Sequence, residues 1–321
     1  MIKVGIIGGA GYTAGELIRL LVNHPEVEIS WVNSESNVGN RLADVHQGLE
    51  GDTEMLFTDA PALDEIDVIF LCSGHGASVK YLDGKQLPAN LKIIDLSQDF
   101  RDESAGFVYG LPEVNRERIK NTNRLANPGC FATALQLATL PAVSAGVVDG
   151  EIHVTALTGS TGAGVKPGST THFSWRTDNI STYKEFTHQH LIEIGRTLKL
   201  SSPKGEDVVV NFVPMRGDFA RGIFASVTFD TDVTEEELVN IYEDFFKEEP
   251  FTHVIKRPLD LKQVVNTNKA LVHVEKHGRK ALITAAIDNL LKGASGQAVQ
   301  NMNIMYGLDE KTGLRLKASA F

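Results

Sequence analysis

The 321-residue sequence predicts an α/β fold, in which a doubly wound domain with a parallel sheet is followed by an α+β domain. In the first half of the chain, short apolar runs alternate with segments of helical spacing. A glycine-rich turn directly follows the first apolar run. The second half contains many strand patterns and few helical ones, which indicates a second domain of a different class.

A strand, a helix and a second strand open the chain and predict a βαβ unit. Two later runs are almost continuously apolar, which is typical of strands buried on both faces of a parallel sheet. The predicted strands are residues 3–7, 27–33, 67–72 and 91–96, and the helix is residues 13–22.

The second half has shorter, alternating strand patterns. They cover residues 151–157, 208–213, 223–229, 271–275 and 281–286. One helix there has a clear start, because Thr234 and Glu237 have the spacing of a capping box ahead of an apolar helical face.

Two domains are expected, with the boundary at the Asn-Pro-Gly turn. Residues 1–128 form the first domain and residues 129–289 the second. A C-terminal helix over about 290–321, which includes the apolar helical stretch 297–305, is expected to pack back on the first domain. No metal site is predicted.

The composition limits the partners and the location. A net charge of −10 without a cluster of Lys and Arg argues against nucleic acid. No apolar run approaches the ~18 to 20 residues that cross a bilayer, and no signal-peptide pattern is seen, so a cytoplasmic protein without a membrane partner is expected. Cys72 and Cys130 are then expected to be free thiols, because that compartment is reducing.

The glycine-rich turn is the first chemical motif. Gly8, Gly11, Tyr12 and Thr13 lie between the first strand and the first helix. Glycines permit a sharp turn close to a pyrophosphate, and free N–H groups at the helix N-terminus favour its charge. The spacing differs from GxGxxG, and a simple tight turn is the alternative. We interpret the motif as a dinucleotide site.

In a dinucleotide-binding domain, residues at the end of the second strand bind the adenosine ribose. Ser34 and Ser36 suit the 2′-phosphate of NADP, whereas Glu35 suits the 2′-hydroxyl of NAD. Arg41 reaches this place only if the intervening loop folds over. These residues leave the choice between the two cofactors open.

Cys130 is the strongest single candidate. It follows Asn127-Pro-Gly129 and precedes an apolar helical stretch that ends at Pro141. A thiol in the first turn of a helix is favoured as the reactive thiolate, so we predict a nucleophile. A buried, inert cysteine is the alternative at Cys130, and it is the preferred interpretation for Cys72, which ends an apolar strand.

A thiolate nucleophile needs a base, and His188 and His190 are the best placed of the histidines. If their segment is helical, residues two apart point about 200° away from each other, so only one faces Cys130. The sequence does not decide which one.

Five segments resemble the N-acetyl-gamma-glutamyl-phosphate reductases of arginine biosynthesis. They are the turn from Gly8 to Leu17, Asp95-Leu-Ser-Gln-Asp-Phe-Arg101, Tyr109-Gly-Leu-Pro-Glu113, the segment from Asn127 to Thr133, and residues 287–301. The match extends from residue 1 to about 310, and the same order of several motifs makes it specific.

The resemblance implies a dehydrogenase-type second domain, NADPH as cofactor rather than NAD, and a homo-oligomer, either a dimer or a tetramer. It also implies that Cys130 attacks an acyl phosphate and forms a thioester, which is reduced to the semialdehyde. His188 is the preferred general acid/base in the HxHxxEI segment. Three further roles are implied: cofactor binding by Asn289, a loop around Gly162 near the substrate, and binding of a carboxylate or phosphate by Arg221.

The chain departs from the family pattern near the substrate. Arg216 lies where relatives often carry His and a second Pro, and Lys166 follows a turn where an Arg is usual. The acyl group on the substrate amine is therefore acetyl or, alternatively, succinyl, whose carboxylate suits Arg216 or Lys166. An aspartate-semialdehyde dehydrogenase and a non-catalytic redox sensor are the remaining alternatives.

Overall fold

The computed structural model describes residues 1–319. In chain order, the strands are β1 (Ile2–Ile7), β2 (Val27–Asn33), β3 (Phe57–Thr58), β4 (Val68–Leu71), β5 (Lys92–Asp95), β6 (Val108–Tyr109), β7 (Arg124–Ala126), β8 (Asp149–Thr158), β9 (Ser181–Thr182), β10 (Val210–Arg216), β11 (Ile223–Asp230), β12 (Thr252–Val254), β13 (Ala270–His277) and β14 (Lys280–Ile287). The α-helices are α1 (Tyr12–Leu21), α2 (Leu42–Val45), α3 (Ala77–Leu82), α4 (Pro112–Lys120), α5 (Cys130–Ser144), α6 (Phe173–Arg176), α7 (His190–Ser201), α8 (Glu235–Phe245) and α9 (Gly296–Met305).

The described chain forms two compact units. Unit 1 contains Met1–Gly129 and Ala294–Arg315. Unit 2 contains Cys130–Gly293 and the C-terminal residues from Leu316. Each unit is built on one seven-stranded sheet.

The sheet of unit 1 is parallel, with strand order β3-β2-β1-β4-β5-β7-β6. Residues of β4 are buried along its whole length, as the apolar run predicted. The chain moves outward on both sides of β1, which places a topological switch point at the carboxyl ends of β1 and β4. The prediction of a doubly wound domain is confirmed.

Helix α9 belongs to unit 1 and packs against α1 and α4. All ten of its residues are buried. The helix predicted over about 290–321 is shorter in the structure. A π-helical turn occupies Leu291–Ser295, the α-helix ends at Met305, and Gly307 then adopts a φ of 69°, which favours a glycine. Residues 320 and 321 of the predicted range lie outside the described residues.

The sheet of unit 2 is mixed, with strand order β12-β13-β14-β11-β8-β10-β9. Along β11, buried and half-buried residues alternate, which is the pattern of a strand with one face more deeply buried than the other. Helices α5 and α8 pack on the covered face. This confirms the predicted α+β class of the second domain.

Two helices of unit 2 can be compared with the starts and ends predicted from the sequence. Helix α8 begins after Thr234, which forms the predicted capping box with Glu237. Helix α5 begins at Cys130 as predicted, but it continues through Pro141 to Ser144. A proline removes only one helical N–H bond, and this helix is buried over Phe131–Val143, so packing holds it together past the proline.

Within residues 1–319 we find no helix with the length and apolar character needed to cross a bilayer.

Candidate active site

Cys130 is the first residue of α5, and the turn before it is held by buried polar groups of unit 1. The amide nitrogen of Asn127 donates to the carbonyl of Ala294 at 3.0 Å, and the amide of Asn301 donates to Asn127 Oδ1 at 3.1 Å. Arg101 Nε also donates to the carbonyl of Asn127, at 2.9 Å. The backbone that leads into the nucleophile is therefore fixed.

Gly293 is a neighbour of Cys130 that sequence analysis did not identify. A Cβ atom at position 293 would lie 2.9 Å from Cys130 Cβ and 3.2 Å from its Cα. The Gly293 N–H donates to the carbonyl of Asp288 at 2.9 Å, so its backbone has little freedom to move away. Any side chain at this position would displace the nucleophile.

Both predicted histidines lie beside the residue that follows Cys130. The His188 ring is 5.5 Å and the His190 ring 6.4 Å from the ring of Phe131, and the two imidazoles are 4.7 Å apart. Helix α7 begins at His190, so His188 lies outside it. The premise that the two rings point apart on one helix is therefore wrong.

The hydrogen bond between the two histidines fixes one tautomer. The His190 backbone N–H donates to His188 Nδ1 at 3.2 Å, so a neutral His188 carries its proton on Nε2. His190 Nε2 lies 3.9 Å from a carboxylate oxygen of Glu193. The two imidazoles thus differ in the groups that surround them.

The charge around His188 is positive. Burial lowers its pKa to about 4, and the positive charges of Lys184 and Arg216 add to this effect. His188 is therefore neutral at physiological pH. The same two cations favour negative charge nearby, such as a thiolate or a phosphate.

Tyr183 is a second residue that sequence analysis missed, although it lies in the same segment as the histidines. Its ring is 5.8 Å from the His188 ring, and the guanidinium carbon of Arg216 lies 4.4 Å above its centre. Burial and then the charge of Cys130 raise the pKa of the phenol, while Arg216 opposes the shift. Tyr183 and Arg216 therefore form a pair whose electrostatic surroundings include Cys130.

Arg221 is oriented by a buried carboxylate. Its Nε and Nη2 donate to the two oxygens of Asp288 at 3.0 and 3.2 Å, and Asp288 is 0% exposed. The amide of Asn289 binds the N–H of Gly222 at 2.6 Å and the hydroxyl of Thr161 at 3.0 Å. Asp288 and Asn289 thus organise the loops that carry Arg221 and Gly162.

Gly162 itself leaves open space. A Cβ atom there would meet Thr158 Oγ1 at 3.6 Å and Asn289 Nδ2 at 3.8 Å, which are ordinary contacts. These contacts do not test the predicted role of Gly162 near the substrate or that of Asn289 at the cofactor. Both roles stay predictions.

The glycine turn of unit 1 fits a dinucleotide pyrophosphate. Gly8 has a φ of 78°, and a Cβ atom there would collide with Ser73, whereas the space above Gly11 is open. Helix α1 begins at Tyr12 and has neither a side-chain cap nor an acidic residue in its first turn. The N–H groups of the turn that contains Tyr12 and Thr13 are available to an anion.

His46 supports this turn, which the sequence did not indicate. Its Nε2 bonds to the carbonyl of Gly9 at 2.7 Å, and a Cβ atom on Gly15 would lie 2.6 Å from its Nδ1. Gly15 is thus explained by the packing of His46 rather than by a phosphate.

The ribose position at the end of β2 carries hydroxyl and amide groups. Asn37 donates to Ser34 Oγ at 3.2 Å and to Ser36 Oγ at 3.0 Å, and Glu35 is exposed. Arg41 does not reach back, because its guanidinium binds Glu50 and Glu54. Ser34, Ser36 and Asn37 are therefore the available partners for a 2′-phosphate.

Comparison with known proteins agrees with both units. Residues 3–122 match the family described as semialdehyde dehydrogenase, NAD binding domain, and residues 130–289 match semialdehyde dehydrogenase, dimerisation domain. The chain is 57% identical to N-acetyl-gamma-glutamyl-phosphate reductases of Phocaeicola vulgatus and Bacteroides thetaiotaomicron, and 53% identical to that of Christiangramia forsetii. In all three cases 100% of both chains is covered.

Solved structures share the fold at low identity. An aspartate semialdehyde dehydrogenase II from Vibrio cholerae has a TM-score of 0.75 at 17% identity, covering 96% of this chain and 98% of the other. An aspartate semialdehyde dehydrogenase with NADP from Candida albicans has a TM-score of 0.72 at 16% identity, covering 95% and 98%.

Proposed function

The chain belongs to the N-acetyl-gamma-glutamyl-phosphate reductase family of oxidoreductases, and we propose that it reduces N-acetyl-gamma-glutamyl phosphate to N-acetylglutamate 5-semialdehyde with release of phosphate. The observation that carries the proposal is the position of Cys130 at the start of α5, with His188 and His190 packed against the adjacent Phe131.

In the proposed mechanism, the Cys130 thiolate attacks the acyl carbon of the substrate. A C–S bond forms, the bond to the phosphate oxygen breaks, and phosphate leaves with the electron pair. A nicotinamide cofactor held at the glycine turn of Gly8 and Gly11 would supply the hydride for reduction of the resulting thioester to a thiohemiacetal. The C–S bond then breaks, which releases the semialdehyde and regenerates the thiolate.

The two histidines take different parts in this proposal. Neutral His188 presents its Nε2–H as a donor to the oxygen that becomes negative in the thiohemiacetal. His190, whose Nε2 lies 3.9 Å from a carboxylate oxygen of Glu193, is assigned as the general acid/base. This reverses the preference for His188, because the Nδ1 of His188 already accepts a backbone hydrogen bond.

Two arginines are available to bind the charged groups of the substrate. Arg221, held by Asp288, is proposed to bind a carboxylate or the phosphate, with the loop at Gly162 beside the acyl chain. Arg216 carries a buried Nε without a hydrogen-bond partner in the described residues, which supports a role with a further anion. A succinyl group would supply that anion, so the N-succinyl analogue is the second candidate substrate.

NADPH is the proposed cofactor. Gly8, Gly11, Tyr12 and Thr13 would hold the pyrophosphate, and Ser34, Ser36 and Asn37 the 2′-phosphate. We also propose that Asn289, a residue of unit 2, takes part in binding the cofactor. We also propose that the protein is a homo-oligomer, a dimer or a tetramer, because residues 130–289 match a dimerisation domain.

The reaction is tested in reverse, with the acetylated or succinylated semialdehyde, phosphate and NADP⁺. Phosphate-dependent formation of NADPH supports the proposal. Absence of NADPH formation with both substrates overturns it, and this is the result expected of a non-catalytic redox sensor. The two substrates are compared in the wild type and in Arg216→Met. A preference for the succinyl substrate that is lost in the variant supports the second candidate. An acetyl preference that the variant leaves unchanged excludes it.

A further inference from the structure

Asp288 is a fully buried carboxylate that accepts hydrogen bonds from several directions. Besides the two bonds from Arg221, it accepts from the backbone N–H groups of Asn266, Leu290 and Leu291 at 2.8, 2.8 and 3.2 Å. A buried ion pair alone is weak evidence for stability, because the cost of removing its charges from water offsets their attraction. The three backbone donors fix the side chain in one orientation, which an ion pair does not require.

One oxygen of this carboxylate caps the π-helical turn that follows it. The first N–H groups of a helical turn have no partner within the turn, and Asp288 Oδ1 accepts from two of them, those of Leu290 and Leu291. The carbonyl of Asp288 accepts from the N–H of Gly293 at 2.9 Å. A Cβ atom on Gly293 would lie 2.9 Å from Cys130 Cβ, so this turn packs closely against the nucleophile. Asp288 thus holds the turn on which the position of Cys130 depends.

The other oxygen of the carboxylate holds the arginine and a strained segment of backbone. Asp288 Oδ2 accepts from Arg221 Nε at 3.0 Å and from the N–H of Asn266 at 2.8 Å. Asn266 has a φ of 64°, and a residue with a side chain keeps this left-handed conformation only where its surroundings hold it. A single side chain therefore ties Arg221 to the turn beside Cys130.

We propose that Asp288 is a positioning residue that sets the distance between a substrate carboxylate on Arg221 and the thiol of Cys130. This inference rests on the proposed function, in which Arg221 binds an anionic group of the substrate. The carboxylate is the anion that remains on the acyl chain after phosphate has left. A fixed distance between this carboxylate and the thiol fits one length of acyl chain. Asp288 thereby selects a γ-glutamyl phosphate over a β-aspartyl phosphate, which is one methylene shorter.

Asp288→Asn separates the two parts played by this side chain. The amide oxygen of the variant can still accept from the N–H groups of Leu290 and Leu291. Its NH2 group then faces Arg221 Nε and the N–H of Asn266, which are also donors, so the bonds that hold Arg221 are lost. Selectivity is the ratio of kcat/KM for N-acetyl-γ-glutamyl phosphate to that for N-acetyl-β-aspartyl phosphate. We expect this ratio to fall at least about tenfold, because one methylene in a defined site is worth roughly 10- to 200-fold.

The ratio distinguishes positioning from a purely structural role. A smaller fraction of folded protein lowers both kcat/KM values in proportion and leaves their ratio unchanged. Asp309→Asn is the matched control, because Asp309 accepts from the N–H of Lys311 at 3.0 Å and from Arg315 Nη2 at 3.3 Å but lies in unit 1. This control is expected to keep the wild-type ratio. An unchanged ratio in Asp288→Asn overturns the proposal, and it is also the result expected if Arg221 binds the phosphate.

Alkylation of Cys130 by iodoacetamide gives a second measurement that needs no turnover. In Cys72→Ser, intact mass reports modification of Cys130 alone. N-acetylglutamate is expected to protect Cys130 at a concentration roughly tenfold lower than N-acetylaspartate, and this difference should disappear when Asp288→Asn is added. Equal protection by the two acids, or a difference that Asp288→Asn leaves unchanged, overturns the proposal. A wild type without reductase activity overturns the proposed function, whereas the alkylation measurement still decides this inference.

Discussion

The two cysteines of the chain have opposite environments. Cys72 directly follows the buried strand β4, and burial together with the charge of Asp95 raises the pKa of its thiol. Cys130 begins a helix, whose dipole favours negative charge at its N-terminus, and it lies near the Arg216–Tyr183 pair. Only Cys130 is therefore in surroundings suited to a reactive thiolate.

Gly293→Ala tests how closely the nucleophile is positioned. The added methyl group would lie 2.9 Å from Cys130 Cβ, so it must push the cysteine or the π-helical turn away. Since a displacement of about 1 Å costs roughly 100-fold in rate, we expect kcat/KM to fall at least about 100-fold. Steady-state kinetics measure this effect.

Gly195→Ala is the control for that variant. Gly195 lies in α7 with no atom within 4 Å of an added Cβ, so its replacement should leave activity unchanged. Wild-type activity in Gly293→Ala would show that the contact with Cys130 does not position the thiol.

His188→Asn tests the environment of the neutral imidazole. Because the pKa of His188 in the folded protein, about 4, lies below the ordinary histidine value of 6.5, the unfolded chain binds this proton first as the pH falls. The wild type should therefore lose stability between about pH 6.5 and pH 4, and the variant should lose less. Denaturant unfolding at pH 7 and pH 5 measures the difference, with the exposed His172→Asn as control. Equal losses in the wild type and His188→Asn would contradict this interpretation.

At the scale of the elements, the end of β2 is the place where we propose that the preference between NADPH and NADH is set. Ser34, Ser36 and Asn37 provide neutral hydrogen-bonding groups, while Arg41 is held by Glu50 and Glu54. In the proposed site these neutral groups would bind a 2′-phosphate without a cation, and the exposed carboxylate of Glu35 would oppose it.

Glu35→Arg is expected to increase the preference for NADPH over NADH about tenfold, or ~1.4 kcal/mol. The change removes a repulsive carboxylate and adds a paired donor for phosphate. The ratio of kcat/KM for the two cofactors measures it. Glu28→Arg, exposed on the same strand, is the control and should leave the ratio unchanged. A shift towards NADH in Glu35→Arg would show that the ribose does not bind at this strand end.

Local signals explain which parts of the molecule could be predicted from the sequence. The helix start at Cys130 follows from the Pro-Gly turn before it, and the start of α8 follows from the Thr234–Glu237 capping box. Gly293 and Tyr183 were missed, because the contact of Gly293 with Cys130 and that of Tyr183 with Arg216 join segments that are distant in the chain. Their importance depends on the folded arrangement rather than on a local pattern.

At the scale of the whole molecule, unit 1 supplies the glycine turn at a topological switch point, and unit 2 supplies a buried helix that begins with a thiol. Each unit matches a different domain of the semialdehyde dehydrogenases. In the proposed function, unit 1 would thus carry the nucleotide site and unit 2 the covalent chemistry.

Intact-mass spectrometry after incubation with N-acetyl-gamma-glutamyl phosphate in the absence of NADPH tests the central claim most directly. The account predicts release of phosphate together with one acyl adduct on Cys130. The adduct should be present in Cys72→Ser and absent in Cys130→Ser. An adduct that persists in Cys130→Ser, or full reductase activity of that variant, would contradict the account.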